Sequence, residues 1–285
     1  MRWTPGDISS DVEDRRGSSG GGFRFGRGPT IGCGGAIILL VLSLLTGKNF
    51  FALFDGSGGV PQESGPTQTA PVSETPEERA RLEFISDALD DTQNTWTQIF
   101  QQEGMQYQRA KLVVFRDLTP SACGTGQAAS GPFYCPSDQK VYLDLSFFDE
   151  LDRRFGAPGD FAQAYVVAHE IGHHVQKLIG TSDRVQEAMQ SDRGNANEYS
   201  VRLELQADCY AGLWAASAAQ RSVLETGDVE EGMGAASAVG DDRMQEMSGR
   251  GVNPDAFTHG SAAQRVEWFR RGLKSGRIRD CETFK

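Results

Sequence analysis

Polar and apolar positions divide the chain into four stretches. Residues 1–28 are polar, rich in Gly, Ser and Arg, and lack apolar periodicity, which predicts a flexible tail. From Thr30 to Gly47, eighteen residues carry no charge, and Asn49 to Phe54 can extend this run towards an interface. The run is apolar on all faces. Arg15, Arg16, Arg24 and Arg27 precede it, while Lys48 stands alone after it. This pattern predicts a transmembrane signal anchor over 29–54, a buried core helix being the alternative. The positive-inside rule then places the N-terminus in the cytoplasm and the rest outside, so the expected location is the cell membrane, single-pass, with an extracytoplasmic domain. No Ala-x-Ala-like site follows the run, so the anchor is expected to stay uncleaved. Residues 55–76 are rich in Gly, Ser, Pro and Thr and read as a linker; the folded domain is expected over 77–285.

Within that domain, Leu82, Ile85, Leu89, Trp96 and Phe100 recur at spacings of three, four and seven, the apolar stripe of an amphipathic helix. Lys111-Leu-Val-Val-Phe115 and Val141-Tyr-Leu-Asp-Leu145 read as strands, separated by a Gly/Ser-rich loop. Asp160 and Gln163 are spaced as a capping box that opens a helix, and Gly180 supplies a stop. The next strongly helical stretch runs from Glu198 to Trp214.

The first of these two helices carries the candidate chemistry. His169-Glu170-Ile171-Gly172-His173 places two imidazoles at i and i+4, one turn apart on one face, so that both can reach one zinc ion. Glu170 lies beside them, placed to deprotonate a water rather than to bind metal; this is the H-E-x-x-H arrangement. His174 points about 100° round the helix from His173 and is expected to be structural or to support the site. A catalytic zinc needs a third protein ligand. Ile179 occupies the position of a third histidine in the metzincin extension, so the ligand must come from elsewhere. On the second helix, Glu204 and Asp208 stand at i and i+4. A Glu at this position can supply the third ligand from a second helix, and Asp208 can bond the free nitrogen of a ligand histidine.

Charge and cysteines narrow the picture. A formal net charge of -11 disfavours a nucleic-acid partner, and neither a P-loop nor a Gly-x-Gly-x-x-Gly after a strand points to nucleotide chemistry. Four of the five cysteines follow the apolar run, and the pairing Cys123–Cys135 with Cys209–Cys281 is favoured among three connectivities. Cys-x-x-Cys spacing is absent, which argues against a thiolate zinc site.

His-Glu-Ile-Gly-His followed by Glu-Leu-Gln-Ala-Asp resembles the gluzincin pattern, H-E-x-x-H with a later E-x-x-x-D. More narrowly, the chain resembles the bacterial neutral zinc metallopeptidase family, through Val12–Gly17, Gly131–Pro136, His169–His174 and Thr258–Gly260. The resemblance covers nearly the whole chain. It implies an α+β fold: a predominantly helical, zincin-like (gluzincin) metallopeptidase domain with a small β-sheet, here expected after one transmembrane helix. It implies Zn2+ held by His169, His173 and Glu204, with Glu198, Asp183 and His259 as competitors of Glu204 for the third position, Glu170 as general base, and a peptide or protein substrate. His259 resembles a Thr-His element near the active site of related membrane gluzincins and is a candidate oxyanion donor; a helix-start residue is the alternative. Arg265 is expected to pair with an acidic residue such as Asp208. Val141–Leu145 is the expected sheet edge for substrate backbone. Two competing classes remain: a non-catalytic membrane-tethered module with a structural metal, and a tethered scaffold without metal.

Overall fold

The computed structural model describes residues 1–17, 72–249 and 251–284. The first long helix, α1 (Pro76–Gln102), starts where Thr75 and Glu78 form a reciprocal capping box with Pro76 in the first turn. Its five expected apolar positions, Leu82, Ile85, Leu89, Trp96 and Phe100, are all buried. Next come β2 (Lys111–Phe115), a hairpin of β3 (Leu118–Ser121) and β4 (Gly124–Gln127), then β5 (Phe133–Cys135) and β6 (Lys140–Asp144). The remaining helices are α2 (Phe147–Arg153), α3 (Asp160–Leu178), α4 (Thr181–Ser191), α5 (Ala196–Gln220), α6 (Asp228–Ala238), α7 (Asp241–Met247) and α8 (Ala262–Ser275). The expected mixture of mostly helix with a small sheet is what the chain adopts.

The sheet order is β1-β2-β6-β5, where β1 is Val12–Asp14. β1 and β6 run parallel to β2, and β5 runs antiparallel to β6. The strand expected at the edge, Val141–Leu145, therefore lies inside the sheet, and β5 is the edge beside the helical layer. α3 is central: it packs against α1, α5 and α6 and touches both β5 and β6.

α5 and α8 meet backbone to backbone. A Cβ at Gly212 would lie 2.0 Å from the carbonyl oxygen of Phe269, and one at Gly272 would lie 1.9 Å from that of Cys209. Any side chain at this crossing would force the two helices apart. Two disulfides join the favoured pairs: Cys123–Cys135 ties the hairpin to β5, and Cys209–Cys281 ties the end of the chain to α5.

Two expectations, one about the first residues and one about the start of α3, are corrected. Of residues 1–28, read as a flexible tail for want of apolar periodicity, 1–17 are part of the folded body and 18–28 lie outside the described residues. β1 is held by pairing with β2 and by ion pairs of Glu13 with Lys140 and Arg15, so polar contacts supply what apolar spacing does not. The Met1 ammonium is buried, donating to Asp160 at 2.8 and 2.9 Å and to Asp228 at 3.2 Å. Asp160 is thereby diverted from capping. Gly159 is the N-cap of α3, and the Phe161 N–H donates instead to Glu231 of α6 at 3.1 Å.

The membrane anchor is also corrected. Among the described residues no helix is long and apolar enough to cross a membrane. The longest ones carry charge along their length, such as Glu77, Arg81 and Glu83 in α1 or Glu198, Arg202 and Glu204 in α5. The stretch expected to span, 29–54, lies outside the described residues. A single crossing between residues 17 and 76 would put β1 and Met1 on the opposite side from β2 and Asp160, their bonded partners. The single-pass anchor and the cell-membrane location that rested on it are withdrawn.

Candidate metal centre

Three donors converge where α3 and α5 face each other. Ligand atoms of His169, His173 and Glu204 all lie within 4.8 Å of one another. The close approach of the helices depends on Gly172 inside the motif: a Cβ there would lie 3.0 Å from the carbonyl oxygen of Ala207 and 3.1 Å from its Cα. Glycine between the two histidines lets α5 come near enough for Glu204 to reach both rings. Its carboxylate stands 3.2 Å from His169 Nε2 and 3.4 Å from His173 Nε2.

Each ring is oriented by its other nitrogen. His169 Nδ1 lies 2.9 Å from Asp208 Oδ1, and a carboxylate can only accept, so Nδ1 carries the proton and Nε2 is left for a ligand. Asp208 is itself held by Arg265, whose Nε donates to Oδ2 at 2.8 Å and Nη2 to Oδ1 at 2.9 Å, and by the Tyr165 hydroxyl. The expected Arg265–Asp208 pair is therefore present and buried. His173 Nδ1 lies 2.9 Å from Gln176 Oε1.

The charges at the site favour a cation. Burial alone would strip the proton from His169, but the Asp208 carboxylate, with hydrogen bonds to Asp208 and Glu204, outweighs it and raises the pKa to about 9. His173 is raised in the same way, burial being overcome by Glu204. Burial works against the Glu204 carboxylate too, yet the positive charges of His173 and His259 and its hydrogen bonds to the site histidines hold it well below the usual range. Positive charge is stabilised between these three residues, and a divalent ion there would displace the protons on the two Nε2 atoms. Two imidazole nitrogens and one carboxylate, each ring fixed from behind, are a donor set that fits zinc. The residues present thus suit the metal that the motif implies.

Glu170 is 8% exposed, and its carboxylate accepts no hydrogen bond among the described residues. Burial raises its pKa, opposed by the positive charge of His173 and His169. The three competitors for third ligand have other partners: Glu198 takes Arg202, Asp183 takes Lys177, and His259 Nδ1 faces Asp241 Oδ1 at 3.2 Å and Thr258 Oγ1 at 3.0 Å. The His259 side chain is 28% exposed, and its Nε2 has no partner among the described residues. Burial lowers its pKa, but the charge of Glu204 and the bond to Asp241 raise it overall. His174 faces away: Nε2 meets the Gln108 carbonyl at 2.6 Å, so Nδ1 accepts from the Tyr134 hydroxyl at 3.0 Å. It fastens edge strand β5 to α3.

Sequence reading did not single out Gln176, Tyr134 or Asp241. Gln176 follows His173 by three, a helical neighbour spacing that gives a usable signal. Asp241 has none, since it reaches His259 across seventeen intervening residues of loop and helix start.

A family model described as "Putative neutral zinc metallopeptidase" matches residues 1–284. The chain is similar to Uncharacterized protein YpfJ of Escherichia coli (strain K12), 47% identical over 286 aligned positions that cover 100% of this chain and 99% of the relative. It is also similar to Uncharacterized protein Rv2575 of Mycobacterium tuberculosis (strain ATCC 25618 / H37Rv), 43% identical over 189 positions, 62% of this chain and 63% of the relative. No solved structure matches it. The match along almost its whole length makes this chain a member of that zinc metallopeptidase family.

Proposed function

We propose that the protein is a zinc-dependent peptidase that hydrolyses peptide bonds of a peptide or protein substrate, with Glu170 as general base. One observation carries the reading: three donors converge on α3 and α5 beside a buried carboxylate, that of Glu170, which has no hydrogen-bond partner among the described residues. Zinc held by His169, His173 and Glu204 would acidify a water and polarise the scissile carbonyl. Glu170 accepts the proton of the attacking water and delivers it to the leaving amine; its raised pKa suits both halves of that task. His259 donates from Nε2 to the oxygen on which negative charge develops, with Asp241 holding the ring by Nδ1.

Substrate backbone pairs with the free side of β5, whose other side is taken by β6. The Tyr134–His174 bond keeps that edge against the helix bearing the donors. An interior strand has no such free side, so the role first expected for Val141–Leu145 passes to Phe133–Cys135.

The test is incubation of the zinc-loaded full chain with a diverse peptide mixture, with new termini read by mass spectrometry. Cleavage that needs zinc and stops with a chelator is expected. Intact peptides across the whole mixture, at full zinc loading, would contradict the reading.

A further inference from the structure

Behind His173 lies a chain of buried amides that the proposed chemistry does not use. Gln176 is 0% exposed and Gln206 is 3% exposed. A glutamine amide offers two hydrogens on nitrogen and an acceptor oxygen. Gln176 Nε2 donates to the Leu203 carbonyl at 2.7 Å and to Gln206 Oε1 at 3.2 Å. Both hydrogens being spent, its Oε1 faces His173 Nδ1 at 2.9 Å and can only accept, so Nδ1 must carry the proton. Gln206 Nε2 in turn donates to the Cys281 carbonyl at 3.1 Å, and Cys281 is joined to Cys209 of α5. Thr283 adds a bond to the Arg202 carbonyl at 2.8 Å.

We propose that Gln176 is a positioning residue for the metal centre, anchored through Gln206 by the Cys209–Cys281 disulfide, so that reducing this disulfide weakens metal binding. The proposal rests on the zinc reading above. Gln176 does two things with one side chain. It fixes the tautomer of His173 that leaves Nε2 free for metal, and it clamps α3 to α5 at Leu203, the residue before Glu204. The relative placement of two ligands on different helices is thereby tied to one amide.

The chain of bonds ends on a segment, 278–284, that the disulfide holds to α5. A dithiol reductant converts the Cys209–Cys281 bond to two thiols while its own two thiols become a disulfide, and the two hydrogens pass to the cysteines. The segment then keeps only its hydrogen bonds, Gln206 loses a fixed acceptor, and Gln176 loses the partner that directs its nitrogen away from His173.

Partners that orient a ligand histidine typically contribute 10–100-fold in metal affinity. Zinc affinity of the full chain is measured by competition with a chromogenic chelator, for wild type, Q176L, Q176E and the double variant C209A/C281A, which mimics reduction without a metal-binding reductant. Q176L is expected to bind zinc about 10–100-fold more weakly. Q176E keeps the acceptor for His173 but loses the donors to α5, and is expected to fall between Q176L and wild type. C209A/C281A is expected to weaken binding several-fold.

The second readout is the 15N chemical shifts of the His173 ring in metal-free protein at alkaline pH, where the ring is neutral. The Nδ1–H form should dominate in wild type and in Q176E, and give way to a mixture in Q176L. If Q176L fails to fold, Q206L carries the test, with several-fold weaker binding expected. Wild-type affinity in the glutamine variants, or an unchanged tautomer in Q176L, overturns the role of Gln176. Wild-type affinity in C209A/C281A overturns the link to the disulfide. Should wild type bind no zinc, the peptidase reading fails, and the tautomer measurement still decides whether Gln176 holds His173.

Discussion

Replacing Glu170 with Gln is expected to abolish peptide hydrolysis while leaving zinc in place. The amide matches the carboxylate in size but cannot accept the proton, and general acid–base groups contribute about 10²–10⁴ in rate. Zinc should remain because the donors are His169, His173 and Glu204, and the groups that orient the two rings, Asp208 and Gln176, are untouched by the substitution. Stability should hold or rise. Burial first of all raises the pKa of Glu170 above its value of 4.5 in water. A carboxyl with a raised folded pKa favours the folded state at low pH, and that contribution is lost as pH rises from 4.5 through the folded value. Above that range the contribution is gone, and a neutral amide does not suffer the loss, a common trade between activity and stability. Zinc content, melting temperature and turnover measured on one preparation check all three parts. Turnover equal to wild type would remove Glu170 from its role.

Asp208→Ala is expected to be the most damaging change near the site, through stability as much as through metal. Asp208 is fully buried and takes two hydrogen bonds from Arg265, one from Tyr165 and one from His169. Its removal leaves the Arg265 guanidinium buried without the carboxylate that pairs with it, which costs about 3–5 kcal/mol. Set against a typical domain stability of about 5–15 kcal/mol, the loss is a large share. His169 also loses the group that orients its ring, so zinc affinity should fall about 10–100-fold. The same ion pair gives a pH signature. Burial opposes the Asp208 charge, but Arg265 and His169 hold its carboxyl below its ordinary value of 3.8. Its contribution to stability is fully present above pH 3.8 and is lost as pH falls through the folded value. Denaturant melts of wild type and variant, with and without zinc, check this. A variant as stable as wild type would mean that Arg265 finds another partner.

Much of the helical part is legible in the sequence because its signals are local. The apolar spacing from Leu82 to Phe100 and the i, i+4 pairs at His169/His173 and Glu204/Asp208 each lie within one helix, so periodicity alone puts them on common faces. That the two pairs meet is less local: the need of a catalytic zinc for a third ligand left Glu198, Asp183 and His259 open beside Glu204, and the resemblance to H-E-x-x-H with a later E-x-x-x-D favoured Glu204. The small strands were not legible. β5 has three residues in a Gly/Ser-rich loop and β1 has one apolar residue, Val12, so neither shows alternation. They are strands because β6 and β2 offer them partners, which is a property of the assembled sheet. Asp160 illustrates the same limit: its capping signal is real, but the Met1 ammonium and Asp228 lie elsewhere in sequence and win the carboxylate. The disulfide pairing was within reach because four cysteines allow so few arrangements.

The account stands on a three-donor metal site shared between α3 and α5. The direct measurement is the zinc stoichiometry and affinity of the purified full chain, as wild type and as Glu204→Ala. About one tightly held zinc per chain in wild type, with affinity sharply reduced in the variant, is the predicted result. Wild-type protein that takes up no zinc in excess metal, or a variant that binds it as tightly as wild type, would contradict the account.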